Sequence, residues 1–475
     1  MIVYKFGGAT TRSVRGLERM AEIVRRTYEE QSRRRSQGGL VVVVSAIGHS
    51  TRRLRSIAED AEAGKAIIAG ETLERLIERH EQLAESLELS ERAYNSAVIK
   101  FHQLADEIAK LVEGVTITRE LSNRTLDAFL SKGEYFATAL IGALLSDANI
   151  PTTVIDAREI IITDTNYSAA APNLEAIRSR MVERVIPVLS EGKIVLTQGF
   201  VGGTTDGDTT TMGSESSDLT ATLLGRALEA KEVVIWKTVS GIYTADPEYI
   251  PHARAIRHLS FDEADELGRR GVRALFQNVA RPLLADDARH KTIVRVTSPE
   301  LKSPRGTVIA ASSGAVVRSP KPIALALEEN ITTVYVQQSE VNGESRKKKR
   351  SREAQLAYNK TQGIPAFALN RAFYYWASDT EITLSFRRDE RRTLFRALKD
   401  AGYELQEEKP LAALSMLVRT RDATQDLTSI RERLFRSIRR FPVRAVFPVE
   451  SSLVVLLDED RAVEALKKVH KDFFE

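Results

Sequence analysis

The stretch that most constrains this chain is IVLTQGFVGGTTDGDTTTMGSESSDLTATLLGRAL, from Ile194 to Leu228. Its first residues, Ile194 to Thr197, are apolar and β-branched and read as a buried strand. Gly199, Gly202, Gly203 and Gly207 follow, together with the hydroxyl run Thr209-Thr210-Thr211. Ser216-Ser217-Asp218 then stands directly before the apolar-periodic segment Leu219–Leu228, so a capped helix begins there. A strand, a glycine-rich loop and a helix start direct backbone N–H groups and a positive helix end at one point, which favours an anion. The plain alternative is an ordinary strand–loop–helix connection, and this stretch alone does not separate the two.

The rest of the chain supplies the context. With 475 residues there is room for two or three domains. A hydrophobic content of 43% with 28% charged residues is that of a globular protein. The chain has no cysteine, which excludes a disulfide framework, a thiolate metal site and a cysteine nucleophile. Its seven histidines show no HExxH spacing, so no metal site is expected. No run has the apolar length of a membrane span, and the start MIVYKFGG lacks a signal-peptide core, so the expectation is a soluble cytoplasmic protein with no membrane partner. The net charge of +4 is small for this length. The basic run Arg346 to Arg350 has no interleaved aromatics and reads as a solvated linker rather than a nucleic-acid patch.

Taken in order, Ile2 to Phe6 is a short strand running into Gly7-Gly8. Lys5 inside it is either an edge-strand lysine or one at the carboxyl edge of an open α/β sheet, where such sheets place their ligands. A helix over about 14–31 follows, then a second all-apolar strand, Leu40 to Ser45, of the kind a parallel sheet buries on both faces. Residues 54–112 are charge-rich with helical spacing and are expected to form a pair of surface helices covering the sheet edge. Leu130-Ser131-Lys132-Gly133-Glu134 is expected to open an amphipathic helix to Leu145. Thr152 to Ile155 is a strand, and 157–163 is a short apolar piece. Val185 to Leu189 and Ile194 to Thr197 are expected as a hairpin or adjacent strands, and Glu232 to Trp236 as a further strand. Strands alternate with helices over 1–310, which argues a mostly parallel α/β sheet with helices on both faces. Residues 311–322 read as a linker. Beyond it, over 323–475, short strands and helices have the density of two small α+β units, with a regulatory or oligomerising role expected.

Several stretches together resemble the aspartate kinase branch of the amino acid kinase family: KFGG at 5–8, SAIG at 45–48 with Thr51, LSKGE at 130–134, DAREIIITD at 156–164, TQGFVGGTTDGDTTTMG at 197–213, the pair Ser217-Asp218, and GIYTADP at 241–247. The resemblance implies a three-layer, mostly parallel α/β domain followed by two ACT-like units. It implies transfer of the γ-phosphate of ATP to the side-chain carboxylate of aspartate, giving an acyl phosphate on the way to lysine, threonine and methionine. That carboxylate is already a nucleophile at neutral pH, so the task is to bring two anions together and neutralise them. By motif, Lys5 would hold the transferring phosphate and Asp218 would orient it. Thr51, Glu134 and Ser217 would hold the amino acid, with Glu134 facing its ammonium group, and Arg52 beside Thr51 could add a positive charge for the substrate. Gly7, Gly8, Ser45, Lys237, Thr238, Tyr243, Asp246 and Arg273 would lie along the nucleotide, with Mg²⁺ bridging its phosphates. The implied partners are a small amino acid substrate, an amino-acid effector at the ACT-like units, and a second copy of the chain in a homodimer or larger assembly.

The chain also departs from the family pattern. Ser214 stands where an arginine would clamp the substrate's α-carboxylate, and Glu215 adds a negative charge beside it. Trp236-Lys237-Thr238 replaces Trp-Thr-Asp, Glu248 replaces an arginine, Arg273 replaces a lysine, and Arg52 replaces an acidic residue or asparagine. Removing a charged hydrogen-bond partner costs roughly 1.5–3 kcal/mol. Three readings therefore stand side by side: a divergent aspartate kinase in which Arg52 and Lys237 compensate, a kinase for another amino acid, and a non-catalytic relative.

Overall fold

Two runs of five residues, IVYKF and LVVVV, form neighbouring strands β1 (Ile2–Phe6) and β2 (Leu40–Val44) at the heart of an eight-stranded sheet. With β3 (Thr152–Val154), β4 (Ile194–Gln198), β5 (Val201–Gly203), β6 (Thr209–Thr211), β7 (Glu232–Trp236), β8 (His258–Ser260), β9 (Ile293–Thr297) and β10 (Thr307–Ala310), they are the strands among the described residues of the first part of the chain. The sheet order is β3-β4-β2-β1-β7-β9-β10-β8, and β5 and β6 form a separate hairpin. Every pairing in the large sheet is parallel except β9 with β10. Central parallel strands are covered on both faces, which is why β2 and β4 are apolar throughout or nearly so and fully buried.

The computed structural model describes the chain except residues 34–37, 214–215, 273–280, 285–290, 301–305, 313, 315–318, 338–373, 378–380, 388–390, 401–403, 408–409, 421–425 and 450. The basic run at 346–350 lies outside the described residues. Contacts gather the chain into two units that do not meet at a single point in the sequence. The first comprises Met1–Ile242, Ala255–Gly268 and Ala274–Ala315, and the second Tyr243–Arg254, Arg269–Arg273 and Val316–Glu475.

In the first unit, α1 (Val14–Arg33) buries Leu17, Met20 and Val24 at helical spacing. The charge-rich region is not a pair of surface helices but three: α2 (Ser50–Glu62), α3 (Ala66–Ser86) and α4 (Glu91–Thr118). Their inner stripes, including Leu54, Ile57, Leu76, Phe101 and Ile108, are fully buried in one core with Phe129 and Phe136 of α5 (Asn123–Asp147). An amphipathic helix needs only a narrow apolar stripe, so its charged outer face masks the depth of its packing. His80 belongs to this core: it stacks on Phe136, its Nδ1 lies 2.7 Å from the Leu76 carbonyl, and burial pushes its pKa down to about 4. LSKGE does not open α5 but lies inside it, because Ser122 caps the helix earlier by accepting from the Thr125 amide.

The short helices α6 (Ala157–Ile160), α7 (Leu174–Arg180) and α8 (Ile186–Ser190) follow, the last two joined by a π-turn at Met181–Val185. The strand expected at 185–189 is therefore helical. Ile177, Met181 and Val185 recur every fourth residue and are all buried, and Pro187 sits in the first turn of α8 where it is tolerated. The unit is completed by α9 (Ser217–Ala227), α10 (Phe261–Arg269) and α11 (Arg281–Leu284). Tyr4 and Phe6 enter the core shared with α1–α5. Side chains alternate across a strand, so Lys5 between them points to the opposite face, against which α9 packs.

The second unit is built on β11 (Lys321–Gln337). With β12 (Tyr374–Ala377), β13 (Glu381–Arg387), β14 (Glu404–Glu407), β15 (Leu411–Arg419), β16 (Val443–Val449) and β17 (Ser452–Asp458), it makes a seven-stranded antiparallel sheet. The first half of β11 pairs with β15, and the second half with β13 and β14. The change falls at Asn330, whose φ of +61° breaks the register. Helix α12 (Arg391–Asp400) belongs to one half, while α13 (Thr428–Ile438) and α14 (Ala462–Phe474) pack on the other through Leu434, Leu466 and Val469. The expected fold class holds: a three-layer, mostly parallel α/β sheet followed by small α+β ACT-like units. Among the described residues no helix is long and apolar enough to cross a membrane.

Candidate active site

Strand β1 lies inside the sheet, with Lys5 in register with Val43 of β2 on one side and Ile235 of β7 on the other. The edge-strand reading of Lys5 is thereby set aside. Its Nζ is 2.7 Å from Asp218 Oδ1, and the Nζ of Lys237, just past β7, is 2.7 Å from Asp218 Oδ2. The side chains of Lys5 and Asp218 are only 6% and 2% exposed, against 22% for Lys237. Burial alone would raise the Asp218 carboxyl, but the charges of Lys237 and Lys5 outweigh it and hold the pKa at about 2. Asp218 is also in the first turn of α9, where the helix dipole favours a negative group. The result is a carboxylate committed to two ammonium groups, and a net positive cluster.

Close backbone approach surrounds that cluster. The Gly48 amide donates to the Gly8 carbonyl (3.0 Å), and a Cβ at Gly8 would collide with the Ala46 carbonyl oxygen. Gly199 faces Ser217 with no room for a side chain, and a Cβ at Gly7 would stand 3.4 Å from Lys5 Nζ. Ser45 is half-buried, its amide donating to the Phe6 carbonyl (3.2 Å). The loops after β1, β2 and β4 therefore touch one another at the carboxyl ends of the strands.

Glu134 is the second buried carboxylate, 3% exposed. Its Oε1 accepts from the Ala46 amide (3.1 Å), whereas its Oε2 is buried with no hydrogen-bond partner. Burial pushes its pKa up to about 8, and the Ala46 amide and the charge of Lys5 only partly oppose this. Gly133 beside it leaves room for Ala46 and Thr51, since a Cβ there would stand 2.8 Å from Ala46 Cβ and 3.6 Å from Thr51 Oγ1. Thr51 is half-buried in the first turn of α2, and Arg52 beside it is exposed.

The structure thus brings together Lys5, Gly7, Gly8, Ser45, Thr51, Glu134, Ser217, Asp218 and Lys237. Thr238 follows Lys237 and is exposed, and the Lys237 amide is anchored on the Thr297 carbonyl (2.8 Å). Tyr243 and Asp246 belong to the second unit. Ser214, Glu215 and Arg273 lie outside the described residues.

Two arrangements were not foreseen. Asp127 accepts from the amide and hydroxyl of Ser168 (2.8 and 3.2 Å) and from the amide and hydroxyl of Thr211 (2.9 and 2.7 Å), tying α5 to the β5–β6 hairpin. Asp127 and Glu134 are two helical turns apart, on one face of α5, and that spacing is the signal that could have found Asp127. In DAREIIITD, Arg158 grips Asp156 (2.7 Å), and Tyr135 donates to the same carboxylate (2.8 Å).

A net-positive cluster at a helix start, beside a buried carboxylate with an unpartnered oxygen, suits a ligand carrying both an anion and a cation. The family model described as the amino acid kinase family matches residues 1–295. Lysine-sensitive aspartokinase 3 of Escherichia coli K12 is 31% identical over 339 residues, covering 70% of this chain and 68% of that protein. The aspartokinase of Chlamydia trachomatis serovar D is 30% identical over 336 residues, covering 71% of this chain and 70% of its own length. Among solved structures, E. coli aspartokinase III in complex with aspartate and ADP matches in fold with a TM-score of 0.81, at 24% identity over 100% of both chains. On this sequence match and this fold, the chain belongs to the amino acid kinase family and is a kinase.

Proposed function

We propose that this kinase transfers the γ-phosphoryl group of ATP to the side-chain carboxylate of aspartate, forming an acyl phosphate that feeds amino-acid biosynthesis. The observation that carries the reading is Glu134, a buried carboxylate with an orphaned oxygen close enough to Lys5 to feel its charge. An amino acid's ammonium would satisfy that oxygen and ionise the group. Thr51, packed against Gly133, and Ser217, next to Asp218 at the start of α9, offer hydroxyls, and Arg52 is an exposed cation on the α2 side. Lys5, with Lys237 alongside, would neutralise charge developing on the transferring phosphoryl group. Asp218 is pinned in its ionised form by both lysines and is unsuited to serve as a proton acceptor. A carboxylate nucleophile requires none.

Among the described residues, Asp218 has both oxygens engaged by lysines and Glu134 has one held by the Ala46 amide, so neither carboxylate is free to cage Mg²⁺. Mg²⁺ would then enter with the phosphates of ATP, with Gly7, Gly8, Ser45 and Thr238 along the nucleotide. Tyr243, Asp246 and Arg273 remain proposed nucleotide contacts. The ACT-like unit is proposed to bind a small amino-acid effector and to join two copies of the chain.

The test is an assay with ATP, Mg²⁺, single amino acids and hydroxylamine, which traps an acyl phosphate as a hydroxamate. Hydroxamate with aspartate is expected. Hydroxamate with a different amino acid alone overturns the substrate, and none with any amino acid overturns the reading.

A further inference from the structure

The second unit contains a cluster that phosphoryl transfer does not use. The segment Thr244–Arg254 is closed on itself: the Thr244 amide donates to the Arg254 carbonyl (2.9 Å), and the Arg254 amide donates to Thr244 Oγ1 (3.1 Å). It is fastened to β11 by the Leu325 amide, which donates to the Thr244 carbonyl (2.8 Å). Ala245 and Ile250 bury themselves in the core that also holds Leu466, Val469 and Phe474 of α14. The Arg254 guanidinium donates to the Phe474 carbonyl at the end of α14. This packing sets His252 above the last turn of α14.

Three donor atoms converge there. His252 Nε2 is 2.6 Å from Glu475 Oε1, and His470 Nδ1 is 3.5 Å from the same oxygen. All three ligand atoms lie within 4.8 Å of one another. His470 is 1% exposed, and its Nδ1 is buried with no hydrogen-bond partner. Its other nitrogen, Nε2, is 3.1 Å from Thr244 Oγ1. If Nε2 carries the proton and donates to that hydroxyl, Nδ1 presents a lone pair toward a carboxylate oxygen. In that tautomer the buried Nδ1 lone pair and the solvent-exposed Glu475 carboxylate face each other, and a cation between them would relieve their repulsion.

We infer that His252 Nε2, His470 Nδ1 and the Glu475 carboxylate form a binding site for a zinc-type divalent cation. Two imidazoles and one carboxylate are a borderline N/O donor set, which zinc accepts with three protein ligands and an open fourth position. Zinc–ligand bonds of about 2.0–2.2 Å in a tetrahedron place ligand atoms roughly 3.3 Å apart, so side-chain adjustments of about 1 Å close the site. Thr244 acts as the outer partner that fixes the His470 tautomer and ring orientation. The positive charge of Arg254 lies close by and lowers affinity relative to a site with two carboxylates. An occupied site would staple the Thr244–Arg254 segment to the end of α14. The inference does not rest on the phosphoryl-transfer reading.

The test uses the full chain, stripped with EDTA and titrated with ZnCl₂, and with CoCl₂ for its spectrum. The expected result is saturable binding of about one Zn²⁺ per chain, a rise in melting temperature reversed by EDTA, and the visible bands of tetrahedral Co²⁺. His252→Ala removes an exposed ligand, so it should melt like the wild type without metal and bind Zn²⁺ at least ~10–100-fold more weakly. Glu475→Gln should behave in the same way. Equal Zn²⁺ affinity in the wild type and His252→Ala, or no saturable binding to the wild type, overturns the site.

Discussion

Asp218 and Glu134 are both buried carboxylates that feel the charge of Lys5, yet they titrate far apart. Asp218 has a lysine on each oxygen and is held at about 2. Glu134 has one backbone amide, one unpartnered oxygen, and a pKa pushed up to about 8. The first is a finished ion cluster and the second an unfinished one. The difference teaches which carboxylate holds the protein's own cations and which awaits a ligand's.

Three experiments would break or sharpen that contrast. The largest effect is expected from Asp218→Asn, which leaves two lysines without their counter-charge, Lys5 deeply buried and Lys237 mostly so. Breaking such a pair costs roughly 3–5 kcal/mol, to be read as a fall in thermal stability near neutral pH. The pH dependence has a defined sign. The folded pKa of Asp218 lies below its ordinary value, so its stabilisation is present above about pH 4 and is lost as pH falls toward about 2. A melt unchanged by the substitution would show that the cluster is not finished in the sense used here.

Lys5→Ala comes next. Lys237 still pairs with Asp218 in this variant, so the fold should survive, while kcat should fall by about 10²–10³-fold, as when a preorganised donor to developing charge is removed. An unchanged kcat would remove Lys5 from the transfer step.

Glu134→Gln should have the smallest effect: a rise of roughly 10–100-fold in KM for the amino acid, with KM for ATP little changed. In the wild type, amino-acid affinity should increase as pH rises toward about 8, because an ionised Glu134 is the better partner for an ammonium, and binding near neutrality should release a proton. The ligand-free protein should behave in the opposite sense. The folded pKa of Glu134 is raised, so the stability linked to its proton is present below about pH 4.5 and is lost as pH rises through about 8. Glu134→Gln should flatten both dependences; a KM slope retained in the variant would assign it to another group.

The pair Lys5 and Asp218 was legible in the sequence because each sits in a short motif whose spacing carries its meaning. The alternation of strands and helices was legible for the same reason, since buried parallel strands need unbroken apolar runs. The Lys237 contact was less so: it exists because β7 lies beside β1, a neighbourhood decided by sheet order rather than by local pattern. Asp127 was hidden because its partners, Ser168 and Thr211, reach it across separate loops. The helical piece at 181–190 was misread because a short apolar run carries no period of its own until its buried residues are known.

The central position of β1 has a consequence in time as well as in space. A strand flanked on both sides by parallel partners belongs to the part of a domain that opens last, so the amides of β1 should be among the slowest to exchange. Lys5 is thereby anchored on a strand that local opening of the loops around it leaves in place. The glycine loops can breathe as ligands enter and leave, while the charge they close around stays fixed for as long as the domain remains folded.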